Sequence, residues 1–229
     1  MDRKYGSKWV VAAALTLLVW PAGASGQTPA SERAASDATV DGAGSAVVQR
    51  ALESRTKGAP EAEVVVFEIA DFQCPFCARF AEEVAPTLDE RYIATGKVQW
   101  VFVNMPLHTH PRAWIAAEAA LCAGAAGDAF WPMHHRLFQE QRAWSGAEDP
   151  ATVFERYVEE LDIPLPEYRT CVAEDQVASL ILQDVGSAVS AGVNGTPTFI
   201  IMKDQQVLQR MVGVQSPEEW ATVLDGALR

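Results

Sequence analysis

The first sustained apolar run after residue 60 is Val64-Val65-Val66-Phe67-Glu68-Ile69-Ala70, rich in β-branched residues and almost without polar interruption. A short run of that kind predicts a strand buried on both faces. From Pro75 to Tyr92 the period changes, with Phe76, Phe80, Val84 and Leu88 recurring every four residues. That spacing predicts a helix, which Pro86 should kink. Gly96 ends it, and Val98-Gln99-Trp100-Val101-Phe102-Val103 predicts a second strand. Two strands joined by one helix form a βαβ unit with a right-handed crossover.

The third strand does not follow at once. From about 111 to 193 the chain is rich in Ala, Glu and Leu at helical periods, broken at Gly124, Gly127, Gly146, Pro150 and Pro164. This predicts an all-helical subdomain of about 80 residues inserted into the α/β domain. Strand character returns at Thr198-Phe199-Ile200-Ile201-Met202, and Asp204-Gln205-Gln206 turns the chain into a hairpin with Val207 to Val214. Ser216-Pro217-Glu218-Glu219 is a helix start, with Ser as N-cap and Pro at the first position. The order is β-α-β, helical block, β-β-α, and no internal repeat is present. The class is α/β.

The N-terminus follows a different pattern. Arg3, Lys4 and Lys8 precede an apolar run from Trp9 to Trp20, followed by the small residues Ala22-Gly23-Ala24-Ser25-Gly26. This is the layout of a secretory signal peptide over 1–26, and an uncleaved membrane anchor is the alternative. Residues 27 to about 45 are small and polar and predict a flexible spacer. Val47 to Thr56 has the spacing of a short amphipathic helix, broken by Gly58-Ala59-Pro60. The organisation expected is therefore signal 1–26, N-terminal spacer 27–57 and a domain over 58–229. The domain carries the helical insertion at about 111–193.

Composition adds three constraints. With 229 residues, 49% of them hydrophobic, the chain can bury one sizeable core. Its formal charge is -12; loss of Asp2, Arg3, Lys4 and Lys8 with a signal would leave about -14, which argues against nucleic acid or anionic lipid as partners. Export also changes the reading of the four cysteines, because disulfides persist outside the cytoplasm.

Cys74-Pro75-Phe76-Cys77 stands between the first strand and its helix. Proline favours the first helical position, which puts Cys74 at the N-cap. Unpaired backbone N–H groups and the positive end of the helix dipole then favour its thiolate. Cys77 lies one turn further on the same face, within disulfide reach. Cys74 is expected to be the exposed attacking sulfur and Cys77 the buried resolving one. Half of a zinc site is the competing reading, but such sites need a second close pair, and Cys122 and Cys171 are far apart in sequence.

Glu68 lies six residues before Cys74 inside an apolar strand. It is either an edge-strand side chain reaching water or a buried carboxyl, raised in pKa, that relays a proton for Cys77. Asp71 either tunes the same electrostatics or forms a turn. Gly195-Thr196-Pro197 precedes the third strand. Pro197 is either a strand-start residue or a cis proline that presents the Thr196 backbone to an extended substrate. His108, His110, His134 and His135 read as loop and helix-surface residues rather than metal ligands. Trp114, Trp131 and Trp144 read as insertion core or groove lining.

Glu68-Ile69-Ala70-Asp71-Phe72-Gln73-Cys74-Pro75-Phe76-Cys77, the long helical interruption and Gly195-Thr196-Pro197-Thr198-Phe199 resemble the DsbA family of bacterial disulfide oxidoreductases. The likeness is to its broad Cys-Pro-Phe-Cys branch and covers about residues 60 to 228. Ala117 to Gly124 and Phe130 to Phe138 are similar to that branch's helical insertion. The resemblance implies a thioredoxin-like fold, Cys74 as nucleophile, Cys77 as resolving cysteine, Glu68 as buried acid and a cis Pro197 beside Thr196. Pro75 and Phe76 would tune the redox potential. Phe76 stands where the best-known oxidases of the family carry His, which implies a milder oxidant. Some members of this branch are also similar at Cys122 and Cys171, and in an exported chain a structural disulfide is expected there, with two buried free thiols as the alternative. Its loop of about 50 residues would contribute on the order of 4 kcal/mol in the chain-entropy model.

The reading that follows is a periplasmic or otherwise extracytoplasmic protein disulfide oxidoreductase. It is expected to be monomeric and to need no cofactor or metal. Its partners would be unfolded or reduced exported proteins and a membrane redox partner that reoxidises it. A thiol reductase or isomerase, and a redox-inactive metal-binding module, are the alternatives.

Overall fold

The computed structural model describes residues 46–229. The expected signal, 1–26, and the first part of the expected spacer, 27–45, lie outside the described residues. The remainder of the spacer is not loop: residues 46–54 form helix α1, and Thr56–Lys57 form a short strand β1. Val47, Val48, Ala51 and Leu52 give α1 an apolar face that packs on the helical core, which is why it orders. β1 carries no apolar pattern of its own, and its pairing with the third strand makes it a strand. Gly58 follows at φ +93°, where a Cβ would stand 2.3 Å from the Val98 carbonyl oxygen, so the turn requires glycine.

The βαβ unit consists of β2 (Val64–Ala70), α2 (Pro75–Glu83) and β3 (Val98–Asn104). Pro86 divides the expected long helix, so that α3 (Ala85–Leu88) starts anew and passes into a π-helical turn at Asp89–Ile93. The insertion comprises α4 (Ala113–Gly127), α5 (Phe130–Gln139), α6 (Gln141–Gly146), α7 (Pro150–Glu160), α8 (Leu165–Ala173) and α9 (Ala178–Ser190). The chain ends with β4 (Thr198–Lys203), β5 (Gln206–Val212) and α10 (Pro217–Ala227). Asp204 and Gln205 both take positive φ in the β4–β5 turn, the geometry that matches hairpin twist. Ser216 and Glu219 cap α10 reciprocally.

The sheet order is β1-β3-β2-β4-β5, with β2 and β3 parallel and the other pairs antiparallel. Each face is covered. Val64, Val66, Val98, Trp100, Phe199 and Ile201 meet Phe80, Leu88, Trp220 and Leu224 from α2, α3 and α10. Ile69 packs with Met105, Ala188 and Val193 near α9. The insertion has its own aromatic and alanine-rich core, which reaches Phe72, Cys74 and Cys77 at the top of the βα turn. Among the described residues, no helix is long and apolar enough to cross a membrane.

Candidate active site

The turn between β2 and α2 is built by Asp71. Its Oδ1 accepts from the Gln73 amide at 2.7 Å, and its carbonyl accepts from the Cys74 amide at 3.0 Å. Its Oδ2 accepts from the Leu107 amide and meets His110 Nδ1, both at 2.8 Å. Asp71 therefore forms the turn and also ties it to the loop after β3, which occupies His110. The result places Cys74 at the N-cap of α2, with Pro75 at the first helical position.

Both sulfurs are free thiols, and Cys74 is less exposed than its position suggested: 3% of its surface is accessible, against 0% for Cys77. The Thr196 loop covers it. The Thr196–Pro197 peptide is cis, and the Cys74 thiol donates to the Thr196 carbonyl at 3.4 Å. Sequence reasoning gave no sign of a further clamp, Gln141 at the start of α6, whose Nε2 donates to the carbonyls of Phe72 at 2.8 Å and Cys74 at 3.0 Å. Gln73 Oε1 likewise accepts from the Arg112 amide at 2.8 Å. Both contacts cross between distant segments, so no local pattern announces them. Phe76 stands clear of the fold at 54% exposed, with the Arg79 guanidinium 5.4 Å from its ring centroid.

The two thiols are pushed in opposite directions. Hydrogen bonding from the Cys77 thiol, the Thr196 side chain and the backbone N–H groups of Cys77 and Phe76 outweighs burial and lowers Cys74 to about 6. The Thr196 carbonyl acts the other way, because it accepts from the thiol form. Burial, and then the neighbouring Cys74, hold Cys77 well above the ordinary thiol range.

Glu68 is 2% exposed on β2, a central strand, so the edge-strand reading does not hold. Its Oε2 accepts from Trp100 Nε1 at 2.8 Å, while Oε1 is buried without a partner. Burial raises its pKa to about 7, against the opposing pull of Trp100 and Lys57. Its surroundings are Ala81, Lys57 and α5 rather than the two sulfurs. The helix-surface reading of His134 fails as well. It is 3% exposed, boxed by Phe72, Phe102, Phe130, Trp131 and Phe138, and burial holds it neutral.

Cys122 on α4 and Cys171 on α8 are joined by a disulfide, their Cα atoms 5.7 Å apart. A buried Arg55–Asp184 ion pair, with Asp184 also accepting from the Asn104 amide and side chain at 3.0 Å, fastens α9 beneath the sheet. No group of three or more His, Cys, Asp or Glu side chains among the described residues is arranged to hold a metal.

A segment of the sodium/proton antiporter NhaA 3 of Salinispora tropica is 39% identical over 146 residues, covering 63% of this chain and 21% of that protein. The chain thus spans about a fifth of the length of the antiporters it matches. A probable disulfide bond formation protein D of Bacillus anthracis is 26% identical over 63% of this chain and 67% of its own. In structure, alpha-DsbA1 of Wolbachia pipientis superposes with a TM-score of 0.67 at 22% identity, covering 76% of this chain and 90% of that one. Its fold is thus the thioredoxin-like one expected, with the helical insertion between β3 and β4. A family model described as Thioredoxin matches residues 50–226, which takes in the Cys74 turn, the insertion and the cis Pro197 strand, and the chain belongs to that family.

Proposed function

We propose that the protein is an extracytoplasmic thiol–disulfide oxidoreductase that oxidises cysteines of exported proteins through Cys74 and Cys77. The observation that carries this reading is the opposed pair of thiols, one lowered to about 6 at a helix N-cap and the other buried and raised.

In the oxidised enzyme a substrate thiolate attacks Cys74 Sγ. The Cys74–Cys77 bond breaks, and Cys77 leaves with the electron pair and takes up a proton. A second substrate thiolate then attacks the substrate sulfur of the mixed disulfide. The substrate disulfide forms and Cys74 leaves as thiolate. A leaving thiolate with a pKa of about 6 is stable at neutral pH, which favours release and makes the pair oxidising. The Thr196 backbone, whose carbonyl lies 3.4 Å from Cys74 Sγ, is the proposed pairing partner of an extended substrate segment. Pro75 and exposed Phe76 complete the surface the substrate meets. Glu68, raised to about 7, is the proposed proton reservoir for Cys77. A membrane redox partner would return the reduced pair to the disulfide. The Cys122–Cys171 bond takes no part and braces the insertion.

Oxidised protein mixed with a reduced, unfolded multi-cysteine protein tests this. Disulfides should appear in the substrate, and a Cys77→Ser variant whose Cys74 has first been activated as the mixed disulfide with 5-thio-2-nitrobenzoate should release that thiolate and trap a single-cysteine substrate on Cys74. Electrons flowing into the substrate instead would favour a reductase. No trapped complex would sink the exchange reading.

A further inference from the structure

The thiolate at Cys74 depends on where the β2–α2 turn aims its backbone. The N–H groups of Phe76 and Cys77 point at the Cys74 sulfur, and that of Asp71 points at the Cys77 sulfur. The turn lies between a strand and a helix, so neither ladder satisfies its own polar groups. Gln141 holds two of its carbonyls, and the loop after β3 holds the Asp71 carboxyl. That side chain shows 0% of its surface to solvent, so its oxygens depend on protein donors. Two of those donors are the Gln73 and Leu107 amides, which any residue would supply. The third is His110 Nδ1, and because a carboxylate only accepts, this nitrogen carries the proton.

The support behind His110 is fixed. Leu107 packs with Ile69, Ala188 and Val193, and the Met105 amide donates to the Ala70 carbonyl at 2.8 Å. The His110 amide donates to the Leu107 carbonyl at 2.9 Å, and its own carbonyl accepts from Ala113 at 3.1 Å. Pro111 also disfavours helical backbone at His110. Two residues on, the Arg112 guanidinium donates to the carbonyls of Trp144 and Ala147 at the end of α6, the helix that carries Gln141. The two sides of the turn are therefore held by segments that also hold each other.

We propose that His110 is a positioning residue for disulfide exchange, whose hydrogen bond to Asp71 fixes the β2–α2 turn so that backbone N–H groups stay aimed at the two sulfurs. The inference rests on the exchange reading and gives His110 no contact with substrate. Without the imidazole, Asp71 Oδ2 keeps one donor in a site closed to water. The carboxyl then turns toward another donor and displaces the Gln73 and Cys74 amides, which Oδ1 and the Asp71 carbonyl hold.

The test compares three substitutions in the full chain. Asparagine sets an amide nitrogen about where Nδ1 stands, glutamine sets it about where Nε2 stands, and alanine has no donor. Ultraviolet thiolate absorbance of the reduced protein reads the Cys74 titration. His110→Ala and His110→Gln should raise its midpoint by about one pH unit. They should also weaken the protein as an oxidant about fivefold in its equilibrium with glutathione at pH 7, about 20 mV for a two-electron couple. His110→Asn should recover both to within about twofold of wild type. A folded His110→Ala that loses stability in urea but titrates like wild type overturns the proposal, because the contact is then structural only. A folded His110→Asn that behaves like His110→Ala overturns it too, because ring charge rather than the hydrogen bond then sets the thiolate. Where His110→Ala does not fold, the difference between His110→Asn and His110→Gln decides. Disulfide transfer by the wild type keeps the two readings apart. Wild type that transfers disulfides while the folded variants all titrate alike sinks this inference alone. Wild type that transfers none while the variants differ as expected sinks the function and leaves the hold of His110 on the thiolate standing.

Discussion

The chain holds two pairs of cysteines that are almost equally buried, and they are in different chemical states. Cys74 and Cys77 are free thiols, while Cys122 and Cys171 are joined. Exposure does not separate them, since all four have at most 3% of their surface accessible. Placement does. Cys74 stands at the N-cap of α2, where the backbone N–H groups of Cys77 and Phe76 favour its thiolate, and Cys77 is its neighbour one turn away. Cys122 lies in the body of α4 and Cys171 in that of α8, 49 residues later, where helix carbonyls and amides are already paired. A helix N-terminus differentiates two sulfurs, whereas two facing helices hold them as equals. Two buried carboxyls, one on β2 and one on α4, have their pKa raised to about 7. Glu68 is raised by burial, and Glu118, one turn before Cys122, by burial and then by Asp175.

The comparison can be broken most sharply by deleting one sulfur from each pair. Cys74→Ser should reduce disulfide transfer to a reduced substrate by more than about a thousand-fold, while Cys122→Ser with Cys171→Ser leaves transfer within a few-fold. The second pair should matter in a different measurement. Losing its 49-residue cross-link should lower unfolding free energy in urea by about 4 kcal/mol.

The two acids sharpen the contrast. Glu68 is protonated in the native state over a range, from about 4.5 to about 7, where the unfolded chain has already released the proton. Stability from this group is therefore present below the lower value and is lost as pH rises through that window. Glu68→Gln should leave stability at pH 4 nearly unchanged and raise it at pH 8, by up to about 3 kcal/mol. Glu118→Gln should act in the same direction on stability, yet only the Glu68 change should alter the pH profile of disulfide transfer. The smallest expected effect is at Phe76. Phe76→His adds a donor beside the Cys74 thiolate and should make the couple more oxidising by about 30 mV, equivalent to about 1.4 kcal/mol.

Much of this fold was legible because its elements carry strong local signals. The β-branched run at Val64–Ala70, the four-residue period after Pro75 and the Ser216–Glu219 cap each decide an element without outside help. β1 was not legible, because two residues have no period and depend on pairing with β3. Of the site, the Cys74-Pro75-Phe76-Cys77 spacing between strand and helix stands out in sequence by itself, whereas the Thr196–Pro197 step is open on local sequence and is picked out by the family resemblance. Gln141, Arg112 and the His134 box stand out by neither route. Their roles arise from contacts that the starts of α4 and α6 and the side of α5 make with the β2–α2 turn, and a glutamine at a helix start looks like any surface residue until the turn it clamps is in place. The shallow cover over Cys74 was missed for the same reason, since the Thr196 loop that makes it lies 122 residues away.

The central claim, that the start of α2 differentiates Cys74 from Cys77 strongly enough to make the pair an oxidant, is most directly tested by its reduction potential. Equilibration in glutathione buffers, alkylation and peptide mass analysis would read Cys74–Cys77 apart from Cys122–Cys171. The account predicts a value near or above about -180 mV, and a value near about -270 mV, that of a reductant, would contradict it.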